Sequence, residues 1–145
     1  MQAYPHHYNA RASSTPGSLV RVESTGLDAI GTAPPAEFGG PGDKWSPETL
    51  LAAAIADCYI LTFQAISRAS KLDWVSLECD VEAILDRVEN VTRFTHFNIK
   101  ARLKVPAGSD ESKARHIMEK SETVCLVTNS LTGTKSLEIS IVEDS

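Results

Sequence analysis

The longest apolar segment of the 145-residue chain runs from Leu50 to Ile66, and Asp57 and Gln64 interrupt it. Drawn as a helix, the segment is apolar around most of its circumference, and such a helix is buried on nearly all sides. A chain this short can hardly cover it with one layer of its own elements. The pattern therefore predicts a long buried helix and a homodimer in which a second copy covers it.

The beginning of this helix is marked by three residues. Ser46 is a good N-cap, Pro47 suits the first helical position, and Glu48 places a carboxylate in the first turn, near the positive end of the helix dipole. We expect the helix to end near Ser70. Its uninterrupted apolar part falls short of the roughly 20 residues that a membrane span needs, so a buried helix is favoured and no membrane partner is expected.

The remaining segments predict short strands and one more helix. Apolar and polar residues alternate in two segments after the long helix. The polar face of the first segment is acidic and that of the second is basic, which predicts that the two strands pair as an antiparallel hairpin with a turn near 86–92. The strands are expected at residues 8–14, 19–24, 27–32, 76–83, 97–105 and 135–142. A Pro- and Gly-rich loop is expected at 33–44 and a second helix at about 111–124. The order β-β-(β)-α-β-β-α-β predicts one α+β domain spanning 1–145.

Charge and cysteine content exclude several function classes. The net charge is −5, and no basic stripe or arm is present, which argues against a nucleic-acid partner. Three cysteines do not make the disulfide framework of a small secreted protein. The N-terminus lacks the basic and apolar regions of a signal peptide. We therefore expect a reducing, cytoplasmic setting.

The three cysteines allow different interpretations. Cys79 falls on the apolar face of an alternating strand and is expected to be core. Cys58 lies in the apolar helix, where packing is the common role, but Asp57 beside it and Cys125 near the end of the second helix leave a redox role open. Because Cys58 lies some three turns into its helix, the dipole alone would not ionise it, and a positive side chain would have to help.

Other chemistry has little support in the sequence. The four histidines, His6, His7, His96 and His116, show no metal-ligand spacing with the cysteines. The chain contains no C-x-x-C, no P-loop, no G-x-G-x-x-G and no G-x-S-x-G motif. We therefore expect neither a metal nor an organic cofactor.

A family resemblance is visible in residues 39–59, which have the sequence G-G-P-G-D-K-W-S-P-E-T-L-L-A-A-A-I-A-D-C-Y. This stretch resembles the signature of the OsmC/Ohr family of thiol peroxidases: a Gly-rich loop, a Pro-Glu pair opening a long helix, an Ala-rich run and a cysteine. The second cysteine of the family matches Cys125 in V-C-L-V-T-N-S-L. Its N-terminal arginine matches Arg11 in Y-N-A-R-A-S, with Arg21 as the alternative.

The resemblance implies an OsmC-like fold, an intertwined homodimer with the long helices packed centrally, and two active sites at the interface. Cys58 would be the peroxidatic thiolate and Cys125 the resolving thiol that closes a Cys58–Cys125 disulfide. Arg11 would hold the thiolate and polarise the peroxide, and Glu48 would orient the arginine. The reaction implied is reduction of organic hydroperoxides to alcohols. A dithiol reductant would reopen the disulfide; the family suggests a lipoyl-type protein, with thioredoxin or small thiols as alternatives.

Helix geometry adds one expectation of its own. Glu48 and Cys58 are ten residues apart on one helix, hence about 15 Å apart along its axis. If two helices pack antiparallel, the Glu48 of the second chain comes close to Cys58, so we expect each site to draw on both chains.

One residue departs from the family pattern, and two other functions remain open. Asp57 stands where small residues are common, and a buried carboxylate there would raise the pKa of the Cys58 thiol. The main alternative function is a non-catalytic dimer on the same fold that binds a small apolar ligand at its interface. A second alternative is storage of metal or thiol.

Overall fold

The structure, a computed structural model, describes all of residues 1–145 and divides into two compact units, Met1–Leu50 and Leu51–Ser145. The strands are β1 Arg11–Ser13, β2 Val20–Glu23, β3 Ile30–Thr32, β4 Ser76–Val88, β5 Val91–Val105 and β6 Thr134–Glu143. The helices are α1 Pro47–Ser70 and α2 Glu111–Thr123, with short 3₁₀ turns at Ala36–Phe38 and Thr128–Ser130. This order and class match the sequence-based prediction.

In the first unit, β1, β2 and β3 form an antiparallel sheet in that order. All three strands are shorter than expected: residues 8–10 lie outside the sheet, and turns around Gly17 and Gly26 shorten the neighbouring strand ends. Gly17 and Gly26 adopt positive φ angles of 79° and 78° in these turns, a conformation that glycine reaches without steric cost. Side chains alternate between the two faces of this sheet, with Ala12, Val20 and Val22 on one face.

The loop between β3 and α1 is held by backbone contacts. The Ala33 N–H donates to the Trp45 carbonyl at 3.0 Å, which ties the end of β3 to the residue before the helix cap. Gly40 has no room for a side chain, because a Cβ there would clash with the Pro34 carbonyl oxygen. The Gly-rich sequence of this loop thus follows from its tight path.

The helix cap predicted for α1 is confirmed. The Ser46 hydroxyl accepts a hydrogen bond from the Thr49 N–H at 3.1 Å, and the Thr49 hydroxyl accepts one from the Ser46 N–H at 2.9 Å. This reciprocal arrangement satisfies two backbone donors at the start of the helix, as a capping box does. It fixes where the helix begins and therefore which side chains face inward ten and more residues later.

The second unit contains the sheet β4-β5-β6. β4 and β5 are antiparallel, and Glu78 and Asp80 pair in register with Arg102 and Lys100, as the charge pattern predicts. The turn is shorter than expected: only Glu89 and Asn90 separate the strands, both with positive φ, which is typical of a type I′ hairpin. β6 lies parallel to β5, and α2 makes the crossover between them.

The core of the second unit lies between its sheet and its helices. Side chains of α1, β5 and α2 form it, including Ile55, Tyr59, Phe63, Phe97, Ile99, Leu103, Ile117 and Met118. In the single chain only one face of α1 is buried, and Leu61 on the opposite face is 56% exposed.

By length and hydropathy alone, α1 could also cross a membrane, since 18 of its residues average a hydropathy of 1.6. The expectation that this segment is too short to span a bilayer is therefore not supported by its length. One face of α1 packs in the core of the second unit, and Asp57 places a charge near the middle of the helix, which is costly in a membrane.

Candidate active site

The second unit brings two of the predicted site residues together. Cys58 lies half-buried on α1, and its Sγ is 3.9 Å from the Thr62 hydroxyl one turn later. Cys125 follows the last residues of α2 and is almost fully buried. The two thiols are neighbours, since the Cys58 side chain is close enough to raise the pKa of the Cys125 thiol.

The backbone around Cys125 is held firmly. Its N–H donates to the Glu122 carbonyl at 3.2 Å, and its own carbonyl accepts from the Asn129 N–H at 3.0 Å and the Thr128 hydroxyl at 3.2 Å. These bonds form a compact turn between α2 and the following 3₁₀ segment. The second thiol is therefore held in place by its local structure.

Burial raises the pKa of the Cys125 thiol above its ordinary value, and the neighbouring Cys58 raises it further. Hydrogen bonds from the backbone and side chain of Thr128 act in the opposite direction. The net result is a thiol that stays protonated near neutral pH. Such a thiol suits the later, resolving step better than the first attack on a peroxide, which needs a thiolate.

The third cysteine packs in the core, as predicted. Cys79 on β4 packs against the core cluster of the second unit. Burial, the nearby Asp80 and Cys125 raise its pKa from 9.0 to about 11. A thiol with such a pKa is almost entirely protonated at neutral pH and is a poor nucleophile.

Glu48 lies in the first unit beside an apolar cleft of about 520 Å³. Apolar side chains dominate its lining, among them Ala12, Val20, Val22, Phe38 and Leu50. The Oε1 atom of Glu48 is buried and has no hydrogen-bond partner. A buried carboxylate oxygen without a partner is costly, so this atom needs a hydrogen-bond donor.

Neither candidate arginine supplies that donor. Arg11 and Arg21 lie on the face of the first sheet opposite Ala12 and Val22, and hence away from the cleft. Arg21 forms an ion pair with Glu23 at 3.5 Å, whereas Arg11 is exposed and forms none. The structure of one chain thus brings Cys58 and Cys125 together but does not bring Arg11 and Glu48 together.

Two further residues of the site have only weak sequence signals. Thr128 lies three residues after Cys125, and its hydroxyl donates to the Cys125 carbonyl. A threonine at this spacing often forms such a hydrogen bond in a turn, so the spacing could have indicated the contact. Tyr59 follows Cys58 directly and donates a hydrogen bond to the Met118 carbonyl at 3.0 Å, a contact that no sequence pattern indicates. No group of three His, Cys, Asp or Glu side chains is positioned to hold a metal ion.

Comparison with known proteins gives the family. A family model described as "OsmC-like protein" matches residues 40–140, which include the long helix and both thiols of the site. The chain belongs to the OsmC-like family. The family resemblance of the sequence is thereby confirmed.

Two relatives of this OsmC-like protein align along most of its length. It is 30% identical over 142 residues to the uncharacterized protein YmaD of Bacillus subtilis, with 92% of each chain covered. It is 29% identical over 131 residues to an organic hydroperoxide resistance protein of Xanthomonas axonopodis pv. citri, with 87% of this chain and 88% of the relative covered.

Solved structures confirm the OsmC-like fold. An OsmC-like protein of unknown function from Vibrio cholerae superposes with a TM-score of 0.85 at 16% identity, covering 93% of this chain and 99% of the other. An organic hydroperoxide resistance protein from Legionella pneumophila gives a TM-score of 0.76 at 24% identity, with 97% and 99% covered. At these identities the likeness concerns the fold alone.

Proposed function

We propose that this OsmC-like protein is a cysteine-based peroxidase that reduces organic hydroperoxides to alcohols. The observation that carries the proposal is the meeting of Cys58 and Cys125: a half-buried thiol on α1 and a buried, protonated thiol beside it. A thiol that is oxidised by peroxide needs a second thiol within reach to resolve the product. The relative from Xanthomonas, named an organic hydroperoxide resistance protein, supports the same reaction class.

The reaction proceeds in two steps. The Cys58 thiolate attacks the distal oxygen of the hydroperoxide, the O–O bond breaks, and the leaving alkoxide takes up a proton to become an alcohol. Cys58 is left as a sulfenic acid. The Cys125 thiol then attacks the sulfur of Cys58, its proton leaves with the sulfenic hydroxyl as water, and the disulfide forms. An external dithiol, such as a lipoyl-type protein or thioredoxin, restores the two thiols by exchange.

Arg11 and Glu48 complete the proposed site across a homodimer. The exposed apolar face of α1 favours pairing with a second copy, and an antiparallel pair of helices brings Glu48 of one chain towards Cys58 of the other. The orphan oxygen of Glu48 then receives a donor, for which Arg11 is the proposed source, and the guanidinium stabilises the Cys58 thiolate. The chemistry needs no metal or organic cofactor and suits a reducing, cytoplasmic setting.

The first test is stopped-flow measurement of thiol loss with cumene hydroperoxide and with hydrogen peroxide, followed by intact mass. We expect rapid loss of two thiols in the wild type, faster with cumene hydroperoxide. The Cys125→Ser variant should stop at the Cys58 sulfenic acid, and Cys79→Ser should behave as the wild type. Reaction no faster than that of free cysteine would contradict the proposal.

A second function is favoured by the apolar cleft beside Glu48. A cleft of about 520 Å³ with mainly apolar lining is large enough for a small apolar molecule. On this alternative the dimer binds such a ligand and the cysteines are not catalytic. Binding of a fluorescent fatty acid that persists unchanged in Cys58→Ser, together with slow peroxide reaction of the wild type, would favour it.

A further inference from the structure

A buried hydrogen bond joins the helix that carries Cys58 to the helix that precedes Cys125. The Tyr59 hydroxyl on α1 donates to the Met118 carbonyl on α2 at 3.0 Å. Tyr59 is 1% exposed and Met118 is fully buried, so water does not compete for the bond. Tyr59 is the residue directly after Cys58, and Met118 lies on the helix that leads to Cys125.

The structure between Met118 and Cys125 is continuous. Cys125 is the seventh residue after Met118, and the helix continues as far as Thr123, about 7 Å along its axis. The end of α2 is closed by hydrogen bonds from the Val124 N–H to the Lys120 carbonyl and from the Cys125 N–H to the Glu122 carbonyl, at 3.0 and 3.2 Å. A displacement of α2 along or around its axis at Met118 therefore moves Cys125 by a similar amount.

Cross-helix polar contacts are few in this part of the core. Most side chains between α1 and α2 are apolar, and apolar contacts tolerate small shifts because they have little directional preference. A hydrogen bond weakens steeply when its length or angle departs from the optimum. The Tyr59–Met118 bond is thus well suited to fix the position of one helix on the other.

We propose that Tyr59 is a positioning residue that fixes α2 on α1 and thereby holds the Cys125 thiol against Cys58, which favours formation of the disulfide. The inference rests on the Cys58–Cys125 pairing of the proposed function. It adds a residue that touches neither peroxide nor reductant.

The tyrosine keeps its donor role over a wide pH range. Burial, together with the nearby Cys79 and Glu122, raises the pKa of the Tyr59 hydroxyl well above its ordinary value of 10.0. The hydroxyl therefore stays protonated wherever the cysteines react. The Met118 carbonyl lies within α2 and has two lone pairs, so it can accept both a helix hydrogen bond and that of Tyr59.

The test is a redox titration of the full-length protein in glutathione buffers, with no peroxide present. Two protein thiols and one oxidised glutathione give the Cys58–Cys125 disulfide and two reduced glutathiones. Acid stops the exchange, the free thiols are then alkylated, and the intact mass of the protein gives the number of thiols that remained. In Tyr59→Phe we expect the equilibrium constant for disulfide formation to fall about tenfold, which corresponds to a rise in potential of about 30 mV.

Ser121→Ala is the matched control. The Ser121 hydroxyl is fully buried and donates to the Ile117 carbonyl at 2.7 Å. This hydroxyl–carbonyl bond lies within α2 and does not connect α2 to α1, so its removal leaves the contact between the helices unchanged. We expect its disulfide equilibrium to match that of the wild type. Thermal melts and circular dichroism establish that both variants are folded at the titration temperature.

The outcomes separate the inference from the proposed function. An unchanged equilibrium in Tyr59→Phe, or an equal fall in Ser121→Ala, would overturn the positioning role. Failure of the wild type to form the Cys58–Cys125 disulfide would overturn both the positioning role of Tyr59 and the pairing of Cys58 with Cys125. A normal wild-type titration with the expected effect of Tyr59→Phe, but slow reaction with peroxides, would support the positioning role and reject the peroxidase.

Discussion

Arg11 and Ala12 are neighbours in β1, yet they face opposite sides of the first sheet, and only Ala12 lines the cleft beside Glu48. The unpaired carboxylate oxygen of Glu48 therefore lies beside the cleft, and Arg11 lies on the other face of the sheet. Because a buried carboxylate without a donor is costly, the proposed contact between them is most simply made between two copies.

Arginine substitutions test which cation serves the site. Arg21 is already paired with Glu23, whereas Arg11 is free. We expect Arg11→Ala to lower kcat/KM for cumene hydroperoxide at neutral pH by about tenfold or more, since loss of one nearby cation raises a thiol pKa by roughly one unit. Arg21→Ala, the matched control, should stay within about twofold of wild type. The pH–rate profile of Arg11→Ala should also move to higher pH.

A larger loss in Arg21→Ala than in Arg11→Ala would reverse the assignment. Equal, near-wild-type activity of both variants would show that neither arginine holds the thiolate. The pH–rate profile distinguishes loss of the cation from partial unfolding, because partial unfolding lowers the activity without shifting the pH–rate profile.

Mixed dimers test whether each site draws on two chains. Cys58→Ser chains are combined with Glu48→Ala chains, each with a different affinity tag, and the hybrid is purified through both tags. If Cys58 of one chain works with Glu48 of the other, one of the two sites remains intact and activity is near half of normal. If both residues come from the same chain, both sites are damaged and the hybrid is nearly inactive.

Substitution of Leu61 tests whether the exposed face of α1 is covered by a second copy. Leu61 is 56% exposed in the single chain and lies on that face. We expect Leu61→Glu to produce monomers at micromolar concentration, because it places a charge in the apolar contact. Leu27→Glu is the control, since Leu27 is 70% exposed in a turn of the first unit. Sedimentation velocity gives the masses, and an intact dimer of Leu61→Glu would argue against this interface.

Much of the fold could be predicted because its signals are local. The Ser46 cap and the proline after it fixed the beginning of α1, and the alternating charges of β4 and β5 fixed their antiparallel pairing. The parallel placement of β6 could not be derived in the same way, since it depends on the crossover through α2.

The residues of the site also differ in whether the sequence could predict them. Cys58 and Cys125 could be proposed from the family resemblance, and the structure brings their side chains together. The bond from Tyr59 to Met118 joins residues 59 positions apart, and both residue types also suit an ordinary core. The sheet face on which Arg11 lies could not be predicted either. In a three-residue strand, a shift of one residue in the pairing moves a side chain to the other face.

The dependence of stability on pH tests the environment of Cys79. Its pKa is raised from 9.0 to about 11 in the folded protein, so between these values the unfolded chain loses its proton first. The contribution of Cys79 to stability is therefore fully present below pH 9 and is lost as the pH rises towards 11. Since one pKa unit corresponds to 1.36 kcal/mol and the site is only half-buried, we expect this part of the loss to be about 1–2 kcal/mol.

Urea unfolding at pH 8 and pH 10.5 with a non-thiol reductant measures the effect. Cys79→Ala should be less stable than the wild type at pH 8, because the core loses a buried sulfur, but its stability should fall less between the two pH values. Cys125 and Tyr59 also have raised pKa values and remain in the variant, so some loss is expected in both proteins. Equal losses in wild type and variant would show that Cys79 titrates as an exposed thiol and that β4 does not hold it against the core.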